Sequence, residues 1–192
     1  MLSTASFRKA EIQRKFGNVR EMLVTLSPSR QLELYKDKED CYFGKYPTLA
    51  ELNMAYSPKA AQAWLVPQLT DLSEFCGAKG KLTENQLFQC AEIIVCDYYY
   101  LKVSELMLFF SNLKRCKYGQ FYGAIDPMII LSAISEFLDE RAYAYELKLQ
   151  QDRKEAYNES IKNACSWEEH LRRTGQEHRK SPLERGRNES IK

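Results

Sequence analysis

The chain lacks nearly everything that would mark an enzyme or a membrane protein. Its two histidines, His170 and His178, both fall in a highly charged C-terminal stretch, where no rigid surroundings would hold them as a base or a metal ligand. The six cysteines form no CxxC pair, and Cys90 and Cys96 sit on one expected helix without zinc spacing, so no metal is expected. No cofactor is expected either. Gly77-Ala-Lys-Gly-Lys-Leu-Thr83 misses the GxxxxGK[ST] spacing of a phosphate loop and follows no strand pattern. Apolar runs are short. The longest, Leu106 to Phe110, is five residues, where a membrane span needs about 20. The opening MLSTASFRKAEIQRK has no apolar core of a signal peptide, and the scattered thiols suit a reducing compartment, so a cytoplasmic protein is expected. Charge of one sign is also missing. With 28 basic and 26 acidic residues the net charge is +2, so any attraction to nucleic acid or an anionic membrane must be local.

What remains is helical pattern. Ser6 to Leu26 places Phe7, Ala10, Ile12, Phe16, Val19, Leu23 and Leu26 mostly at three- and four-residue steps, which predicts one amphipathic helix. Its cations Arg8, Lys9, Arg14, Lys15 and Arg20 read as a solvated face partly neutralised by Glu11 and Glu21. Residues 30–47 are aperiodic and read as a loose connection. Thr48-Leu-Ala-Glu51 and Thr83-Glu-Asn-Gln86 are capping boxes that open helices over about 49–56 and from 84 to about Tyr99. Between them, a helix from Ser57-Pro58 is expected to stop at Pro67, with another short one to follow up to Gly77. Leu106, Phe109, Phe110 and Leu113 define a buried helix. Asp126-Pro127 is a cap followed by proline at the first helical position, and the helix it opens should run to about residue 163.

The expected fold class is all-α: a small multi-helix bundle with a long C-terminal helix and a disordered tail. Its parts are an N-terminal amphipathic helix with its connection (1–47), a helical core domain (48–163) and a charged tail (164–192) too poor in apolar residues to offset the entropy of ordering. Asn158 to Lys162 (NESIK) recurs at 188–192, but two copies do not make a repeat architecture.

Chemistry-bearing residues concentrate in one turn. Lys114, Arg115 and Lys117 stand beside Tyr118, Phe121 and Tyr122, with Gly119 and Gly123 as turn residues and Asp126 and Pro127 restarting a helix. Cations beside rings are the components of sequence-tolerant single-strand binding. The alternative is that the rings plug the core and the lysines solvate the turn. Carboxylates Glu92, Asp97, Glu105, Asp126, Glu136, Asp139 and Glu140 read as caps and surface ion pairs, and no arrangement of them marks an acid/base pair. A non-enzymatic protein is expected.

The residues Glu105-Leu-Met-Leu-Phe-Phe110, Lys114, Lys117-Tyr-Gly119, Phe121-Tyr-Gly123 and Asp126-Pro-Met128 carry a resemblance over about 82–141. Here the chain resembles a family of uncharacterised small proteins carried by prophages and conjugative elements of gut Bacteroidetes. The family pattern has glycine before Lys117, so Cys116 is a departure that puts a special backbone conformation there in question. The resemblance implies no activity, only a mobile-element setting with roles in replication or host interaction. The function expected is therefore a helical adaptor docking on another protein through this turn or the tail. The alternative is a single-stranded nucleic-acid-binding protein using the turn Lys114 to Gly123.

Overall fold

The structure is a computed structural model that describes residues 4–76, 80–121 and 125–163, with Glu169, His170 and Arg172. The described residues are all-α, with no strand, and Thr48 and Lys102 form an isolated antiparallel bridge. The chain divides into two compact units, Met1–Tyr145 and Glu146–Lys192.

Where one N-terminal helix was expected, the first unit has two, α1 (Thr4–Phe16) and α2 (Val19–Thr25). Gly17 breaks the path with a φ of 72°, and Asn18 opens α2 through a capping box with Glu21. The expected loose connection is also helical: a 3₁₀ turn, η1 (Pro28–Arg30), leads into α3 (Gln31–Tyr35) and α4 (Lys38–Phe43). Asp37 caps α4 by accepting from the Asp40 amide at 2.9 Å, and helices of five or six residues are too short to show periodicity. The two threonine capping boxes open α5 (Leu49–Ala55) and α7 (Glu84–Asp97) as expected. Between them α6 runs unbroken from Ala60 to Phe75 with Pro67 inside it. Proline there removes one helical hydrogen bond, and packing of Trp64, Leu65, Leu69 and Leu72 into the core overrides that loss.

The central element is α8 (Val103–Lys114), in which every residue from Val103 to Leu113 is buried. It packs against α3, α4 and α6, while α7 covers α6, and α5 bridges α1 and α6. The helix expected to reach about Tyr99 ends at Asp97, and Tyr98 to Lys102 form the connection from α7 to α8, leaving Tyr99 and Tyr100 exposed. Its carbonyls serve α5: Leu49 N–H donates to Leu101 O at 3.0 Å and Ala50 N–H to Tyr99 O at 2.9 Å. The long helix α9 (Pro127–Asn163) opens as expected, with Met128 N–H donating to the Asp126 carboxylate at 2.8 Å. Its first part brings Phe137 within 5.6 Å of Phe109, ring centre to ring centre.

In the second unit, α9 is solvent-exposed and carries local pairs such as Lys148 with Asp152 at 3.5 Å. The first NESIK copy lies in this helix. The second copy, Gly77 and most of the charged tail lie outside the described residues.

Candidate functional site: the cleft where α3, α6 and α8 end

The basic turn begins as the C-terminus of α8. Cys116 N–H donates to Leu113 O at 2.9 Å and Lys117 N–H to Asn112 O at 3.1 Å, the paired bonds of a Schellman cap. Such a cap needs a left-handed residue, and Cys116 supplies it with a φ of 57°. The special conformation questioned by the loss of glycine is therefore present, held by the cap's hydrogen bonds despite the side chain. Gly119, with a φ of 104° and open space around it, continues the turn.

This geometry distributes the expected binding residues. Lys114 forms an ion pair with Asp71 on α6 and lies over the Phe75 ring at 5.5 Å. Lys117 pairs with Glu140 on α9. Arg115 has no ion pair among the described residues, and its guanidinium stacks on Tyr35 of α3, 4.0 Å from the ring centre. Tyr118 turns inward, stacking on Phe109 at 5.8 Å while its hydroxyl accepts from the Asn112 amide at 2.9 Å. Burial pushes its phenol well above the ordinary range. Phe121 is half-buried against the core, and Tyr122 and Gly123 lie outside the described residues. The rings thus divide from the cations. The described aromatics of the turn are core, and among the described residues Arg115 is the cation of the turn without a carboxylate partner.

Arg115 and Lys114 lie on the wall of a cleft of about 450 Å³, lined also by Pro28, Gln31, Leu32, Phe75 and Ser111. Leu32 and Phe75, both on its wall, are 57% and 61% exposed. Gln31 is 97% buried yet lacks a partner for its Oε1. That oxygen is itself shielded from solvent, and an unpaired buried acceptor costs about 1–3 kcal/mol. Sequence reasoning found Lys114 and Arg115 but missed Gln31, Leu32 and Phe75. The first two lie in the aperiodic segment, and Phe75 carried only the signal of a core position.

A second constellation lies at the other end of α8. Glu105, expected to be a cap or surface ion pair, is completely buried. One carboxylate oxygen accepts from Lys102 N–H at 2.9 Å and so caps α8, and the other accepts from Arg141 Nε at 2.7 Å. Tyr145, stacked under Arg141 at 4.5 Å, places its hydroxyl 3.0 Å from Glu105 and 2.8 Å from Tyr42 O. Burial raises that phenol to about 12. The surrounding Lys102 Nζ and Ser104 Oγ donate to Tyr42 O and Cys41 O at 2.7 and 2.8 Å. With all its oxygens occupied, this carboxylate clamps α4, α8 and α9 together.

The buried thiols are likewise structural. Burial, then Asp40, Asp37 and Glu105, raises Cys41 to about 12, and burial alone raises Cys90 to about 11. Thiolate is scarce at such values near neutrality. Among the described residues there is no group of three or more His, Cys, Asp or Glu able to hold a metal, and no helix is long and apolar enough to cross a membrane.

Fold and site define a helical protein with an open amphipathic cleft built at helix ends. Residues 82–180 match a family of unknown function, DUF6633, and the chain belongs to that family. No curated protein and no solved structure matches the chain. The family match takes in α7, α8, α9 and the Schellman turn, whereas Pro28, Gln31, Leu32 and Phe75 precede it.

Proposed function

We propose that this chain is a non-enzymatic helical adaptor that seats a segment of another protein in the cleft between α3, α6 and α8. The observation that supports the reading is the pairing of exposed Leu32 and Phe75 with the stacked, carboxylate-free Arg115 in one concave surface. Apolar area with an oriented cation at its rim has the composition of a recognition surface. The other described cations and rings of the turn, Lys114, Lys117, Tyr118 and Phe121, are already engaged internally. In the prophage and conjugative-element setting that the sequence resemblance implies, the partner would belong to replication or to the host cytoplasm.

The test is site-specific photo-crosslinking from a benzophenone amino acid placed at position 32 or 75 in the native host. The expected result is a protein adduct of discrete mass that Arg115→Glu abolishes. Identical adducts from the same group at Lys9, an exposed position of α1, would overturn the reading.

A further inference from the structure

We infer that Cys76 and Cys116 form a redox-responsive thiol pair, which a low-molecular-weight disulfide such as oxidised glutathione closes into a bond tying the end of α6 to the end of α8. Neither residue enters the adaptor reading, so the pair stands or falls apart from it.

Two helix ends meet at this point. Lys114, in the last turn of α8, pairs with Asp71 and lies over the Phe75 ring of α6. Past the helices, Ile125 N–H donates to Gly80 O at 3.2 Å, so the segments that follow α8 and α6 also touch. Cys76 follows Phe75 as the C-cap of α6, and Cys116 follows Arg115 as the left-handed residue of the α8 cap. Phe75 and Arg115 are wall residues of one cleft, which brings the two thiols to its edge. There they act on each other. Burial raises the Cys76 thiol above its ordinary range, and the charge of Cys116 adds to the rise, ahead of the opposing effect of Lys114. Between groups open to water such an effect fades over about 10 Å.

Access separates this pair from the structural thiols. Cys41 and Cys90 are buried, whereas Cys116 is exposed and Cys76 half-buried. Because burial and Cys116 hold Cys76 back from ionising, the first attack falls to Cys116. Its thiolate attacks one sulfur of glutathione disulfide, forming a mixed disulfide and expelling one glutathione thiolate. Cys76 then gives up its proton, attacks the Cys116 sulfur and expels the second glutathione. The two protein thiols lose two electrons and two protons, and glutathione disulfide takes up both to become two glutathione molecules. Both cysteines sit at helix ends, where the chain yields more readily than within a helix.

The experiment incubates the reduced, folded full chain with a series of ratios of oxidised to reduced glutathione, quenches with acid and maps every cysteine by mass spectrometry. At Cys76 and Cys116 the wild-type chain should lose two hydrogens and retain no glutathione, with the two peptides joined. Dithiothreitol should restore both thiols. Cys76→Ser should lose the joined product and retain one glutathione on Cys116, the trapped intermediate. Cys116→Ser should leave Cys76 unmodified, since the attacking thiol is gone. A lasting glutathione adduct on Cys116 of the wild-type chain would overturn the pairing, as would a bond from either cysteine to another thiol. So would silence at both cysteines under ratios that glutathionylate Cys96, which is exposed on α7. The wild-type map decides even if a serine variant folds poorly.

Discussion

The Glu105 carboxylate, with no exposed surface, lies 2.7 Å from Nε of Arg141, 36 residues further along the chain. This contact fixes α9 to α8 through a charge that water cannot reach. Removing Arg141 leaves that charge with only neutral donors, and breaking one side of a buried pair typically costs about 3–5 kcal/mol. Because Arg141 keeps 24% of its side-chain surface exposed, Arg141→Met should fall near the lower end, about 3 kcal/mol, read from urea midpoints at constant slope. The double variant Glu105→Leu/Arg141→Met should recover only part of the loss, since it removes the unpaired charge but leaves the Lys102 N–H at the start of α8 without its acceptor.

That pair also shows where reading the sequence stopped. Capping boxes at Thr48 and Thr83, the Asp126-Pro127 start and the apolar stripe of α8 were legible because each is a local signal whose geometry completes within four residues or one helical face. Gly17 and Pro67 misled in opposite directions. Glycine with a good cap behind it split a periodic stretch, and proline inside a well-buried helix failed to end one. Glu105 looked like a surface acid because its partners, Arg141 and Tyr145, come from a helix that local sequence does not connect to it. The cleft was half legible for the same reason: Lys114 and Arg115 announce themselves by charge, while Gln31 matters only through Gln68 and Leu26.

Cys116 holds the left-handed position of the α8 cap, where a side chain costs about 1–2 kcal/mol and glycine costs nothing sterically. Glycine loses more entropy on folding, which returns part of that gain. Cys116→Gly should therefore stabilise by about 0.5–1 kcal/mol, and Cys116→Val should destabilise, both measured as shifts of the urea midpoint.

Glu51 links α1 to α5 by accepting from Arg8 Nε at 2.7 Å while its other oxygen accepts from Thr48 N–H at 2.8 Å. Burial opposes its ionisation, but Arg8 and the Thr48 amide outweigh burial and hold the carboxyl below its ordinary range. With the folded-state value depressed, the stabilisation is complete above the unfolded value of about 4.3 and is lost as pH falls through the folded one. Glu51→Gln keeps a capping group without the charge. Its stability should therefore decline less than that of wild type between about pH 5 and pH 3, as followed by thermal unfolding.

Single-stranded DNA tests how many cations of the turn are free. Each phosphate contact on a single strand contributes about −0.7 to the slope of log affinity against log salt, so three contacts would give about −2. Lys114 and Lys117 are held by Asp71 and Glu140, and using them would require breaking both pairs. Tyr118, the ring beside them, is buried on Phe109 and has no face to offer a base. Fluorescence anisotropy with an oligo-dT probe across a salt series should give a slope near −0.7 from Arg115 alone, removed by Arg115→Ala. A slope near −2 that Lys114→Ala and Lys117→Ala each reduce would instead show the ion pairs opening onto phosphate, and would make the turn, not the cleft, the working surface.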